Sequence, residues 1–410
     1  MNDENNATVR EGAVFVVSQL RAAGYEAYLV GGCVRDRLLS RPIREYDIAT
    51  GATPDQVIAT FRRTVPVGVQ FGVILVLTRF GEYEVATFRA EADYTDGRRP
   101  DNVRFVSARE DVLRRDFTIN GLLEDPETDE IRDFVDGRID LQNGLIRAIG
   151  DPHERFAEDH LRMLRAIRFS ATLDFEIESQ TLAAISALAP RVESVAVERV
   201  IKELGRTFTE GNATKGLKLL IETGILPVVL PEARVDRFPE VLTAVAHLTM
   251  AELTTMLALL LDGLSAEPAR VTAERLRLSK AEREQLVYLL SNLLEFDQDR
   301  SEAESLRFIR HADWRLLEST HRALRTARNE STARADELAQ LLAATPPERL
   351  NPPRLVDGRD LKSMGLKPGP QFKQMLDGLE DAQLEGRVST RDEAEAFIRQ
   401  LADSLAPTSP

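Results

Sequence analysis

Apolar positions along the first third of the chain switch between two periods. Over VREGAVFVVSQLRAA, roughly 10–23, they fall at helical spacing until Gly24, and EAYLV (26–30) then reads as a strand. Gly31-Gly32 breaks that strand, and helical spacing resumes from Cys33 to Leu39. EYDIAT (45–50) predicts a second strand and PDQVIATF (54–61) a helix. VILVLTRF (73–80) and YEVATFR (83–89), joined at Gly81, predict an antiparallel pair. The expectation is a small α/β unit on a mixed sheet of about five strands.

The stretch AEADYTDGRRPDNVR (90–104) has no apolar periodicity and carries Asp96-Gly97 and Pro100, so it predicts a long loop. Beyond about 150 the pattern turns helical and stays so, with apolar residues at i, i+3 and i+4 through ERVIKELGRTF, ATKGLKLLIETG and MAELTTMLALLLDGL. ATPPERLNPP (344–353) predicts a linker before a last helical segment, 356–403. There is no internal repeat. The expected division is an α/β head over 1–150, a helical neck over 151–232 and a helical body and tail over 233–410.

Composition adjusts this picture in three ways. At 410 residues and 43% hydrophobic, the chain can bury the cores of two or more domains. Cys33 is the only cysteine, which excludes an intramolecular disulfide and any cysteine-based zinc site. No apolar run reaches membrane-spanning length and the start MNDENNATVREG lacks signal-peptide character, so a cytoplasmic enzyme is expected. The net charge of −14 argues against a protein that coats nucleic acid generally. It leaves room for local RNA binding, because arginines cluster at 98–99, 114–115 and through LRMLRAIRF.

The first candidate chemistry is LVGGCVRD (29–36) with EYD (45–47). A strand ending in Gly-Gly and opening a helix lets backbone N–H groups approach a phosphate at Gly32, and Arg35 one turn on adds a charged fork. Residues i and i+2 of a strand share a face, so Glu45 and Asp47 converge. Two adjacent carboxylates are costly without a cation between them, and Mg²⁺ takes carboxylate oxygens together with substrate phosphates. Taken alone, an acidic x-acidic strand is more often a solvated edge.

Other catalytic classes lack their residues. There is no Gly-x4-Gly-Lys-Ser/Thr phosphate loop, no Gly-x-Ser-x-Gly elbow and no His-Asp dipeptide, and the five histidines are scattered.

The ordered strings LVGGCVRDRLL with DIAT (29–50), VGVQFGVILV (67–76), RRDFTIN (114–120), GRIDLQNGLIRAIGDP (137–152) and RFAEDHLRMLRAIRF (155–169) resemble the class II CCA-adding enzymes and bacterial poly(A) polymerases of the polymerase-β nucleotidyltransferase superfamily. The resemblance runs through VERVIKELGRTF to about 232 and returns over 358–397. It implies a polymerase-β-like nucleotidyltransferase head on an all-α body that grips RNA. It further implies template-independent addition of CMP and AMP to tRNA 3′ ends from CTP and ATP, with Mg²⁺. An A-adding enzyme or a poly(A) polymerase of the same family is the alternative. The full-length 90–104 stretch disfavours CC-only relatives, and no protein partner is evident. Where the family pattern usually has Asp at both metal positions this chain has Glu45, which keeps the charge but adds a methylene. Glu84 is a candidate third carboxylate, with a plain surface-strand residue the equal alternative.

The resemblance assigns Arg115 to the triphosphate and Asp116 to the ribose 2′-OH of the incoming nucleotide. It assigns base selection to the Glu158–Arg168 stretch. On a helix, Asp159 and Arg162 lie side by side, with Arg165 and Arg168 continuing an oblique stripe toward base or phosphates. Cytosine and adenine each present an amino donor beside a ring-nitrogen acceptor, which an Asp acceptor next to an Arg donor matches. Uracil and guanine present a carbonyl and an N–H there and oppose both groups. Glu158 is expected to fix Arg162.

Overall fold

The computed structural model describes residues 3–68, 72–92 and 102–405, which divide into two compact units, Met1–Glu232 and Ala233–Pro410. The first unit opens with α1 (Asp3–Ala22), β1 (Ala27–Val30), α2 (Gly32–Leu38), β2 (Asp47–Thr50) and α3 (Pro54–Thr60). Strands β3 (Thr64–Gly68), β4 (Val73–Thr78), β5 (Gly81–Thr87), β6 (Arg89–Ala92) and β7 (Asn102–Phe105) follow, then α4 (Ala108–Leu113), β8 (Leu122–Glu124) and β9 (Ile131–Asp133).

Seven strands form one sheet in the order β3-β4-β5-β2-β1-β8-β9. Only β2 and β5 run parallel, so the sheet is mixed, as the alternation predicted. The strands beyond the expected five are ones whose pattern is weak. β3 contains Pro66, tolerated because the strand lies at the sheet edge, and β8 and β9 have three residues each. Helix α1 seats Ala13, Val16, Val17 and Leu20, one face of its turns, against β1, β2 and β5.

Sheet register does the positioning. β1 pairs Val30 with Asp47 of β2 and with Leu123 of β8, and Ile48 of β2 lies against Val85 of β5. Gly31, Asp47, Glu84 and the start of β8 therefore meet at one end of the sheet. The sequence 90–104 is not a loop throughout: Arg89–Ala92 and Asn102–Phe105 pair as an antiparallel ladder, and 93–101 lie outside the described residues.

The helical part of this unit holds α5 (Gly137–Asn143), α6 (Pro152–Glu158), α7 (Leu161–Leu173), α8 (Ser179–Leu188), α9 (Val197–Thr209), α10 (Ala213–Glu222) and α11 (Ile225–Val229). Two two-residue strands, β10 (Leu145–Ile146) and β11 (Glu176–Ile177), pair in parallel among them. Gly137 lets α5 press onto the turn at Thr118–Asn120, since a Cβ there would stand 2.2 Å from the Thr118 carbonyl oxygen. Thr118 Oγ1 donates to Asp140 across the same contact at 2.7 Å. Helix α7 is buried on nearly every side and packs against α9 and α10.

The helix expected through the Glu158–Arg168 stretch is interrupted. Asp151 caps α6 with Pro152 at its first position, the helix stops at Glu158, and Asp159 is extended (φ −150°, ψ 104°) before α7 begins. Asp159 and Arg162 are therefore not successive positions on one helix face.

The second unit is helical throughout its described residues, from Phe238–His247 to Arg391–Leu405. The expected linker contains a one-turn helix, Pro347–Leu350. Helices Gly358–Ser363, Pro370–Leu384 and Arg391–Leu405 close on Val356, Leu361, Met375, Leu379, Ala382, Val388, Ala394 and Ile398. Among the described residues no helix is long and apolar enough to cross a membrane.

Candidate active site

One cavity of about 620 Å³ in the first unit gathers Gly32, Arg35, Glu45, Asp47, Arg115, Asp116, Asp159, Arg162, Arg165 and Arg168, each singled out from the sequence; Glu158 is not among its lining residues. Eight arginines and five carboxylates line it, so the wall is locally basic in a chain of net charge −14.

At the sheet end, Gly31 takes φ +72° between β1 and α2. A Cβ there would stand 3.4 Å from Arg115 Nη1 and 4.0 Å from Asp47 Oδ2, so the turn passes close to both groups. Glu45 lies just before β2 rather than within it. Tyr46 is buried between two outward neighbours, and Glu45 and Asp47 both reach the cavity. Burial pushes the Asp47 carboxyl up to about 6, the charges of Glu45 and Glu84 push the same way, and Arg115 opposes them. Neither Glu45 nor Asp47 takes an ion-pair partner among the described residues. Two neighbouring carboxylates with only the Arg115 charge opposing them, and no ion pair of their own, suit a divalent cation. Glu84 lines the same wall but does not join them in a cluster of three candidate metal ligands among the described residues. Beneath them Cys33 is 4% exposed, with its Sγ 3.2 Å from the Val30 carbonyl oxygen.

The arginines and Asp116 of the lining are cross-braced. Arg35 Nη1 donates to Asn120 Oδ1 at 2.7 Å and pairs with Asp36 at 2.9 Å. Arg115 bonds Asp111 at 3.0 Å, and Arg114 shares that carboxylate at 2.7 Å. Asp116 Oδ1 accepts from Phe117 N and Asn120 Nδ2, and its Oδ2 accepts from Arg165 Nε at 2.8 Å. Burial alone would raise the Asp116 carboxyl, but Arg165, Asn120 and Arg162 together bring it down to about 2. Arg168 is bound to Glu203 at 2.6 Å, and the guanidinium groups of Arg35, Arg165 and Arg168 lie 5.1, 5.3 and 4.1 Å from the Phe169 ring centre.

Asp159 and Arg162 are held by different partners. Arg162 bonds Glu158, as expected, and also the carbonyl oxygens of Arg155 at 2.9 Å and Arg114 at 3.3 Å. Asp159 is gripped by Arg199, with Nη2 to Oδ2 at 2.7 Å and Nη1 to Oδ1 at 3.3 Å. Sequence reasoning missed Arg199, Glu203 and Arg206, along with Asn120 and Arg114. The signal was present in VERVIKELGRTF: positions 199, 203 and 206 fall at i, i+4 and i+7 on one face of α9.

A mixed sheet bearing paired carboxylates beside a Gly-Gly turn, closed by an arginine-rich helix, defines a nucleotidyltransferase. Residues 27–147 match the family described as "Poly A polymerase head domain", and 174–236 match "Probable RNA and SrmB- binding site of polymerase A". The chain belongs to the CCA-adding enzyme family. It is 36% identical over 404 residues to the CCA-adding enzyme of Streptococcus pyogenes serotype M5 (strain Manfredo), covering 96% of this chain and 97% of that one. With the CCA-adding enzyme of Enterococcus faecalis it shares 52% identity over 209 residues, 51% of each chain. The crystal structure of the Bacillus stearothermophilus CCA-adding enzyme in complex with CTP superposes with a TM-score of 0.79 at 29% identity, covering 96% of this chain and 98% of that one. The Thermotoga maritima CCA-adding enzyme complexed with tRNA shares the fold, with a TM-score of 0.70 at 20% identity, covering 96% and 94%.

Proposed function

We propose that this protein adds CMP and then AMP to the 3′ end of tRNA, using CTP and ATP and releasing pyrophosphate, in the cytoplasm. The observation that carries the reading is the convergence, in one cavity, of a carboxylate pair and an Asp/Arg pair suited to cytosine and adenine. In the reaction, the RNA 3′-oxygen bonds to the α-phosphorus as the bond from that phosphorus to the bridging oxygen breaks. Glu45 and Asp47 would hold Mg²⁺, which supplies charge neutralisation at the reacting phosphate. Arg115 with the Gly31-Gly32 turn binds the triphosphate, and Asp116, kept ionised by Arg165, accepts from the ribose 2′-OH in place of one of the two Arg165 contacts on its Oδ2. Asp159 accepts from the amino group of cytosine or adenine and Arg162 donates to the ring nitrogen, so uracil and guanine leave both groups opposed. Arg165 and Arg168 brace this wall and meet base or phosphate. The head over 1–150 carries the chemistry, 151–232 carries base selection, and 233–410 grips the RNA.

The test is incorporation of labelled CTP and ATP into a tRNA that ends at the discriminator base. Ordered addition of C, C and A is expected. A single A on tRNA ending in CC, with no C addition, would make it an A-adding enzyme, and long A tracts a poly(A) polymerase. No incorporation with any nucleotide would overturn the reading.

A further inference from the structure

We infer that Arg199 is a positioning residue for base selection: it clamps the Asp159 carboxylate so that one acceptor position is left for the incoming base. The inference rests on the base-reading role proposed above for Asp159 and Arg162.

Asp159 sits in the break between α6 and α7, where no helix fixes the direction of its side chain. Two anchors do so instead. Oδ1 accepts from the Leu161 N–H at 3.1 Å and from Arg199 Nη1 at 3.3 Å, and Oδ2 accepts from Arg199 Nη2 at 2.7 Å. An ionised carboxylate offers about four lone-pair positions. Three are filled, and the one that remains is on Oδ2. A single fixed acceptor can discriminate between an amino group and a carbonyl, whereas a carboxylate free to turn can seek the N–H of uracil instead. Both side chains are part-buried, 29% and 19% exposed, and the two-pronged, charge-assisted geometry fixes the carboxylate's orientation. The donor arm is held separately, by Glu158 and by the carbonyl oxygens of Arg155 and Arg114. A change at Arg199 therefore loosens the acceptor and leaves the donor in place.

The experiment compares kcat/KM for the four nucleotides on one tRNA substrate in the wild type, Arg199→Gln, Arg199→Lys, Asp159→Ala and the Asp159→Ala/Arg199→Gln double variant. Arg199→Gln should lower the CTP-over-UTP ratio by roughly ten- to hundredfold, the range for losing hydrogen bonds to a charged partner. Arg199→Lys, a point charge that cannot form the fork, should fall between Gln and wild type. In the double variant the ratio should match that of Asp159→Ala alone, since the clamp then has nothing to hold. A purely structural tie would slow all four nucleotides alike, and an unchanged ratio in both Arg199 variants beside a collapsed ratio in Asp159→Ala overturns the inference. If Arg199→Gln does not fold, the Lys variant alone decides it, by a lowered or an unchanged ratio. A wild-type ratio in Asp159→Ala would instead overturn the base-reading role itself.

Discussion

The two ends of the cavity treat the same chemical group in opposite ways. Asp47, half-buried, and Asp116, buried, are both carboxylates on its wall, yet Asp47 is raised to about 6 while Asp116 is lowered to about 2. Burial pushes both upward. Asp47 then meets two further negative charges, Glu45 and Glu84, with only Arg115 opposing. Asp116 meets the Arg165 guanidinium and the Asn120 amide. A carboxylate that the fold compensates is a fixture, whereas one that the fold leaves uncompensated marks where positive charge is to arrive from outside.

Removing the uncompensated group should have the largest effect. Asp47→Ala should cut nucleotide addition by roughly a thousandfold or more, since metal-assisted charge stabilisation is worth several kcal/mol. The fold and RNA affinity should survive, and single-turnover CMP incorporation beside a thermal melt separates the two. The compensated wall should respond in stability. Glu203→Ala strips the 2.6 Å partner from Arg168, whose side chain is 4% exposed. Leaving such a charge unpaired costs about 3–5 kcal/mol and should lower Tm by roughly 10 °C, read by calorimetry.

A smaller effect sharpens the contrast through pH. The Asp116 carboxyl is depressed from its ordinary 3.8 to about 2, so it favours the folded state above its unfolded value and loses that contribution as pH falls through about 2. The contribution is on the order of 2 kcal/mol. Denaturation of wild type and Asp116→Asn should therefore differ most at near-neutral pH and converge toward about pH 2. The smallest effect is expected for Glu45→Asp, which restores the usual family residue and should change kcat within a fewfold; a loss as large as that of Asp47→Ala would show that the extra methylene is required.

Much of the site was legible because its parts are short and local. Gly31-Gly32 with Arg35, Glu45 with Asp47, Arg115 with Asp116, and the Glu158–Arg168 stretch each show their chemistry within a dozen residues. The braces were not legible, because each spans a long separation: Arg199 reaches Asp159 over 40 positions, Glu203 reaches Arg168 over 35, and Asn120 reaches Arg35 over 85. Helical spacing gave the face they share, not what that face meets. The stop at Asp159 was hidden for a related reason. Residues 155–169 contain no Pro or Gly, so local propensity favours one helix, and the break coincides with long-range contacts to Arg199. In the sheet, alternation identified β1, β2, β4 and β5, whereas three-residue strands are too short to show a period.

The sole cysteine turns the sheet end into its own gauge. Cys33 lies in the first turn of α2, sealed beside Asp47 and bonded to Val30. The residue is 4% exposed, so alkylation of its sulfur is expected to be slow while α2 stays packed on β1 and β8 and to quicken when that packing, which also sets the Gly31-Gly32 turn beside the carboxylates, opens. With no other thiol in the chain to add background, the labelling rate of the untouched protein measures how often this corner opens, and any slowing by a bound nucleotide measures how firmly the nucleotide holds it shut.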